Sequence, residues 1–555
     1  MTAEAPGAPA RPSHPDAETI PALLAHRRRL DVGRRALVTA DGAITYAELD
    51  DASAAQAARL VAAGVVKGDR IGLLAPNGIE WATTALAVLR VGAVLVPLST
   101  LLRPPELLAQ VTTASLTHLI TVGAFRDRRY LDDLEVAAPG LVDALGEGHR
   151  HAAAPSLRRL WPADGLPEAA APAALVRALE ARVRPADDMV VLFTSGSRGA
   201  PKGVVHTHGG ALRATAAGLG ARCVGPAERL YIPMPFFWTG GFAGGLMTAL
   251  VAGATLLTEA EPEPARTLDL LRRERATLFR GWPDQAARLA AHPAFATADL
   301  SSLGDGSLGA VLPPARRPAP GVRANLFGMT ESFGPYCGDR LDTDLPPAKS
   351  GSCGRPFAGV EVRVVDPETG ARVITGEPGE LWLRGPNLLR GICGRPRWEV
   401  FTPDGFYRTG DLGRLDEDGY LWYAGRLDDM VKVRGATVYP SEVEAALRAV
   451  VGVRHAHVTD VDAADGTDGG GDRPEQRDGP EVGDGPEVGA VVVTDVPAEA
   501  VAAAVRQRLS AFKVPTRWLV TPDADVVPLS ATGKVDKPAL QRLLVERGRP
   551  VGRGA

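Results

Sequence analysis

The chain has 555 residues, of which 23% are charged and 5% aromatic, with a formal net charge of −4. That length exceeds what one hydrophobic core organises and predicts more than one domain, while the near-balanced charge excludes an electrostatic grip on nucleic acid or an anionic membrane. The four cysteines, Cys223, Cys337, Cys353 and Cys393, have neither metal-site spacing nor the density of a disulfide framework, and they read as structural thiols of a reducing cytoplasm.

Residues 1–18 are rich in Pro and Ala and read as a disordered tail; they lack the basic-then-apolar order of a signal peptide, and no apolar run in the chain reaches a membrane-spanning length. Arg27, Arg28 and Arg29, beside Leu23 and Leu24, read as the solvent face of a helix. Thr45 and Glu48 form a capping-box pattern, and Leu49, Ala57, Leu60 and Val61 then repeat at helical spacing until Gly64. Arg70–Leu74, Ile79–Arg90 and Ala93–Pro97 read as strand, helix and strand, the pattern of a parallel sheet covered on both faces. A second such unit opens at the apolar run Met189–Phe193. Near the C-terminus, a strand-like run at Tyr420–Ala424, a polar turn at 425–429 and the capping pattern Ser441/Glu444 mark the restart of a smaller domain. Residues 462–489, rich in Gly, Asp and Pro and holding a tandem six-residue repeat at 478–483 and 484–489, read as a flexible acidic insertion.

The apolar run at 189–193 leads into Thr194, Ser195, Gly196, Ser197, Arg198 and Gly199, with Lys202 close behind. Glycines and hydroxyls in such a loop let backbone N–H groups and side chains surround phosphate oxygens, and the lysine adds a fixed positive charge. The spacing is not that of the mononucleotide P-loop, and the loop alone is a weak signal. Four further segments follow: Leu326–Glu331, Tyr407–Asp411, Gly425–Gly435 and Pro528–Lys534.

In this order the five segments resemble the adenylate-forming (AMP-binding) superfamily of acyl-CoA synthetases, luciferases and peptide-synthetase adenylation domains, over about residues 20–545. The resemblance implies an α/β fold: a large N-terminal domain of layered sheets and helices over 19–427, and a small mobile α+β domain over 428–555. It implies ATP, AMP, Mg2+ and coenzyme A as cofactors, and an acid:CoA ligase that joins a carboxylic acid to a thiol through an acyl-adenylate.

By the same resemblance Thr194, Ser195, Gly196, Ser197, Arg198, Gly199 and Lys202 would hold the phosphates, and Phe327 and Gly328 the adenine. Thr330 would meet the α-phosphate, Glu331 the Mg2+, Asp411 the ribose, and Arg426 the ribose or a phosphate. Asp428 would be a hinge that presents Lys534 to the substrate carboxylate in one half-reaction, and Gly435, beside Arg434 and Ala436, to a pantetheine tunnel in the other. Lys513 would be at most a supporting lysine.

Three positions depart from the family pattern. Phe327 stands in place of a tyrosine, and ring stacking survives the loss of the hydroxyl. Arg198 stands where a hydroxyl normally meets the outer phosphates; a permanent cation there either clamps phosphate or pairs with Glu331, so adenylation is the half-reaction at stake. Trp238 stands where a histidine is common, between the acyl pocket and the pantetheine tunnel, as gate or as core residue. Gly240, Gly241, Ala243, Gly244 and Gly245 around it suggest room for a bulky apolar acid, or backbone packing. The absence of an acidic residue at 234–242 disfavours amino-acid activation. The partners implied are a carboxylic acid, or an acyl-adenylate supplied by a separate adenylating enzyme, with CoA or a carrier protein as thiol donor. A carrier-protein ligase, a non-catalytic nucleotide sensor and a luciferase-type oxygenase are the rival readings.

Overall fold

The structure, a computed structural model, describes residues 17–163, 165–194, 202–427, 431–433, 436–438, 440–461, 487–509, 513–529 and 535–551. It divides into two compact units, Met1–Arg363 with Trp382–Arg408 and Glu417–Leu421, and Val364–Leu381 with Thr409–Asp416 and Trp422–Ala555. The class is the mixed α/β one read from the sequence.

In the first unit the Thr45 hydroxyl accepts from the Glu48 N–H, and the Glu48 carboxylate accepts from the Thr45 N–H. This reciprocal cap starts the helix Tyr46–Ala62. It packs beside the helix Ile79–Arg90, whose residues from Thr84 to Arg90 are all buried. Beneath lies a seven-stranded sheet in the order Gly391–Ile392, Lys202–Thr207, Asp188–Thr194, Val94–Pro97, Arg70–Leu74, His118–Thr121, Arg159–Pro162. The five strands from Asp188–Thr194 to Arg159–Pro162 run parallel, as apolar runs buried on both faces require. A five-stranded sheet (Leu278–Phe279, Arg229–Tyr231, Thr255–Leu257, Arg35–Val38, Ala43–Thr45) shares the core, with only its last pairing antiparallel.

Three local readings need correction. Arg27 does not face water: it is buried, donating from Nε to the Leu250 carbonyl at 2.8 Å and from Nη1 to Asp31 at 3.0 Å. Arg29 alone of the three is fully on the solvent side. The site fits because residue 253 is a glycine at φ +75°; a Cβ there would lie 2.4 Å from Arg27 Nη1. Ser441 is not a cap: the helix Pro440–Arg448 already includes it, and its hydroxyl donates to the Ala424 carbonyl while Glu444 accepts from the Val458 N–H at 3.0 Å. The insertion read over 462–489 overlaps structure at its end, because Glu487–Thr494 is a strand whose valines are buried. Alternating repeat chemistry gives way there to an unbroken apolar run, which a sheet interior takes up. The remainder, 462–486, lies outside the described residues.

In the second unit that strand sits between Val453–Val461, antiparallel, and Arg517–Thr521, parallel. The helices Pro440–Arg448, Ala498–Arg506 and Lys537–Arg547 bury Val443, Leu447, Val501, Val505, Leu540 and Leu544.

Arg27→Leu strands Asp31 with only the half-exposed Arg34 at 3.2 Å and removes the donor from the Leu250 carbonyl. Breaking a buried ion pair from one side costs about 3 kcal/mol. The urea midpoint should fall accordingly; an unchanged midpoint contradicts the structural role given to this arginine.

Candidate active site

The strand Asp188–Thr194 does not lead into a helix but into a hairpin: Lys202–Thr207 returns antiparallel beside it, with Lys202 directly opposite Thr194. The two ends of the glycine-rich loop are thereby clamped together, so Thr194 and Lys202 share one edge of the sheet. Ser195, Gly196, Ser197, Arg198 and Gly199 lie outside the described residues.

The same return strand carries His206, which the sequence reading passed over. It is fully buried, and its Nε2 lies 2.7 Å from the Thr330 carbonyl, which can only accept. That fixes the proton on Nε2 and leaves Nδ1 buried without a partner among the described residues. Burial pushes the imidazole down to about 4, against the upward pull of the Thr330 hydrogen bond, so the ring is neutral. Phe333 meets it edge-on at 5.0 Å and holds a left-handed backbone, φ +57°. From there aromatic contacts run through Phe242 (6.0 Å), Trp81 (5.9 Å) and Phe236 (5.1 Å) into the core.

Thr330 is held from a second side, since its hydroxyl lies 2.9 Å from that of Thr239. Glu331, next in the chain, is buried; its Oε1 accepts from the Tyr407 hydroxyl at 3.0 Å. Phe327 begins the short strand Phe327–Met329 and meets Tyr336 edge-on at 5.5 Å. Gly328 is obligatory, because a Cβ would lie 2.2 Å from the Gly334 carbonyl oxygen.

In the second unit the structure brings Asp411 and Arg426 together. Arg426 Nη1 donates to Asp411 Oδ1 at 3.0 Å and to the Thr409 carbonyl at 2.8 Å. Arg426 closes the strand Leu421–Arg426 instead of sitting in a turn, as the reading of 425–429 had it. Lys513 pairs with Glu442 at 2.6 Å. Asp428, Gly435 and Lys534 lie outside the described residues.

Trp238 is half-buried rather than a sealed core residue, packed edge-on to Phe237 (5.2 Å) and tilted on Trp282 (5.6 Å). Around it the glycines divide. A Cβ on Gly241 would overlap the Pro235 carbonyl at 2.0 Å, and one on Gly240 would press on Met234 Sδ at 2.6 Å. Both serve close packing, not open space. Gly244, within the π-helical turn Phe242–Met247, has no atom within 4 Å of its Cβ position. Among the described residues no group of His, Cys, Asp and Glu side chains is arranged to hold a metal by itself, and no described helix is long and apolar enough to cross a membrane.

Gly241→Ala should therefore yield unfolded or insoluble protein, whereas Gly244→Ala should express and melt like the parent; comparable melting of both contradicts the packing assignment. His206 and His208 are both buried and held down to about 4, below the ordinary 6.5, with desolvation the leading cause in each. The unfolded chain thus binds more protons between these values, so stability present above pH 6.5 is lost as pH falls towards 4, by about 2 kcal/mol per histidine at pH 5. His206→Gln, which keeps a donor and does not titrate, should shrink the drop in denaturation midpoint between pH 7.5 and 5; an equal drop contradicts a neutral His206.

The profile of the AMP-binding enzyme family matches residues 24–393. A Mycobacterium tuberculosis (strain ATCC 25618 / H37Rv) protein, 3-[(3aS,4S,7aS)-7a-methyl-1,5-dioxo-octahydro-1H-inden-4-yl]propanoyl:CoA ligase, is 32% identical over 546 residues, 95% of this chain and 99% of that protein. A feruloyl-CoA synthase of Amycolatopsis sp is 31% identical over 90% of this chain and 94% of its own. Among solved structures, ATP-bound MatB from Rhodopseudomonas palustris superposes with a TM-score of 0.73 at 26% identity, covering 95% of this chain and 98% of that one. The amide bond synthetase McbA from Marinactinospora thermotolerans gives 0.73 at 27% identity, over 94% and 99%. The chain belongs to the AMP-binding enzyme family and is an AMP-forming acid–thiol ligase of the acyl-CoA synthetase kind.

Proposed function

We propose that this ligase converts a bulky, largely apolar, cyclic carboxylic acid to its CoA thioester through an acyl-adenylate made at Thr330. The observation that carries the reading is the 2.9 Å contact between the Thr239 and Thr330 hydroxyls. Adenylation requires the carboxylate beside the α-phosphorus, and this contact ties the segment bearing Trp238 to the threonine assigned to the α-phosphate. The tilted pair Trp238 and Trp282 suits the flat body of a ring-bearing acid, as do the substrates named for the two curated relatives.

In the first half-reaction the carboxylate oxygen attacks the α-phosphorus of ATP and pyrophosphate leaves. Thr194, Ser195, Gly196, Ser197, Arg198, Gly199 and Lys202 take the phosphate charge, Thr330 the α-phosphate, Phe327 and Gly328 the adenine, and Asp411 with Arg426 the ribose hydroxyls. Lys534 offsets the negative charge shared by carboxylate and phosphate. Glu331 suits Mg2+, a cation that takes one or two carboxylates and fills its remaining positions with phosphate oxygens and water. Only one Glu331 oxygen is engaged by Tyr407, which fits that donor set; Glu331 would hold the ion, which when bound would supply positive charge to offset that of the phosphates. In the second half-reaction the CoA thiol attacks the acyl carbon and AMP leaves, with Gly435 bordering the thiol's approach and Asp428 the hinge between the two steps.

Mass spectrometry of thioesters formed from ring-bearing acids, supplied free with MgATP and CoA or as presynthesised adenylates with CoA, tests this. Product from both supports the complete reaction with no second enzyme. Product from adenylates alone, with pyrophosphate release gained by Arg198→Thr, replaces it with a ligase that performs only the second step on an adenylate made elsewhere. Transfer only to a phosphopantetheinyl carrier protein replaces CoA as the donor.

A further inference from the structure

The first unit holds two guanidinium groups that have no ion-pair partner among the described residues. Arg222 is buried, and Arg280 has a buried Nε with no acceptor among the described residues. No carboxylate among those residues lies within ion-pair distance of either side chain. Their hydrogen bonds go to neutral oxygens: Arg280 Nη2 to the Arg222 carbonyl at 2.7 Å, and Arg222 Nη1 to the Thr248 hydroxyl. The acids that act on Arg280 from a distance, Asp342 and Glu228, are engaged elsewhere, with Arg340 at 2.9 Å and with the Thr277 hydroxyl. Burial pushes both guanidinium groups down to about 10, and Arg280 pushes Arg222 further. Two buried like charges without a counter-ion are costly to a fold, and such perturbed groups concentrate where a ligand supplies the missing charge.

Their neighbours are those of the acid site. Arg280 is two residues from Trp282, which packs on Trp238. Thr248, the partner of Arg222, hydrogen-bonds to the Ala243 carbonyl in the π-helical turn that follows Trp238. On the other side, a Cβ on Gly334 would lie 3.3 Å from Arg222 Nη2, and one on Gly306 would lie 3.0 Å from Arg280 Nη2. Glycine at these two positions keeps any side chain off those guanidinium edges. Gly334 follows Thr330 by four residues, so Arg222 stands within reach of an acid whose carboxylate is at Thr330, across no more than about 14 Å of chain at full extension.

We propose that Arg222 and Arg280 form a second oxygen-acceptor site at the far end of the acid pocket, and that the substrate carries a carboxylate or carbonyl group there in addition to the carboxylate that is activated. This rests on the acid-site reading above and deepens it: the acid is apolar along its body and polar at both ends. A guanidinium pair presents parallel N–H donors to a carboxylate and a single fork to a ketone. An acid with a methyl group at that end leaves the buried donors unpaired, the kind of loss by which a polar pocket rejects an isostere.

The test uses C6, C8 and C10 straight-chain acids ending in methyl, methyl ketone or carboxylate, with two readouts: kcat/KM for thioester formation with ATP and CoA, and the thermal shift that each acid alone gives the full-length protein. In the parent, the acceptor-ended acids should exceed the methyl-ended ones about 30-fold in kcat/KM at the best length, the size expected for truncating one buried charge contact. A carboxylate preferred over the ketone marks the pair as a dianion site, and the reverse marks it as a carbonyl site. Arg222→Met and Arg280→Met should each bring the ratio to within about threefold; Arg280→Lys, which keeps the charge and loses the fork, should lower it by less. Thioester formation with equal kcat/KM for all end groups in the parent would overturn the arginine site and leave the ligase reading intact. Selective thermal protection by acceptor-ended acids, with no thioester from these or from ring-bearing acids, would keep the arginine site and overturn the substrate proposed above.

Discussion

The hydrogen bond from His206 Nε2 to the Thr330 carbonyl is the contact on which the candidate site depends. It needs a proton on Nε2, because the carbonyl can only accept; burial keeps the ring neutral, so Nδ1 is left as a bare acceptor with no partner among the described residues. Because His206 lies on the strand that closes the phosphate-loop hairpin, the same bond couples that hairpin to the segment bearing Thr330 and Glu331. The left-handed turn at Phe333 would be strained in isolation. It is held by the aromatic file from His206 through Phe333, Phe242 and Trp81 to Phe236, and each such ring contributes about 1.5–3 kcal/mol of burial.

A second constraint is the treatment of buried charge. Arg27 has an acceptor for each of its three nitrogens, an acid one turn away and two carbonyls, and a glycine at 253 that makes room for it. Arg90 is likewise held between Asp50 and Glu180. Arg222, at similar depth, and the half-buried Arg280 are the contrast, with neutral acceptors only among the described residues. A fold that neutralises Arg27 and Arg90 with carboxylates and leaves Arg222 and Arg280 without them has separated a structural use of the residue from one that awaits a ligand.

Much of this was legible in the sequence. The capping pair Thr45/Glu48, the strand–helix–strand run at 70–97 and the buried strand before the phosphate loop depend on local propensity and period, and they stand in the structure where those rules put them. Readings that failed depend on distant partners. Arg27 looks solvated beside Arg28 and Arg29 because its acceptors at 250 and 251 are over two hundred residues away. The hairpin return at Lys202–Thr207 escaped notice because the loop pattern suggests a strand leading to a helix, and that helix starts only at His208. His206 could have been flagged as a titratable side chain directly after the apolar pair Val204 and Val205. Gly241 could not be told from Gly244, since only the carbonyl of Pro235 separates a packing glycine from a spacious one. No local signal marks Arg222 and Arg280, whose meaning lies in the carboxylates that are not beside them.

The adenylate itself is the central claim, and oxygen tracing tests it most directly. An acid labelled with 18O in both carboxylate positions is turned over with unlabelled ATP and CoA, and the nucleotide product is weighed. Attack of the carboxylate on the α-phosphorus predicts AMP carrying one 18O atom, left behind when the thiol takes the acyl group. Label in inorganic phosphate with ADP as the nucleotide product, or thioester formed with unlabelled AMP, would contradict the account.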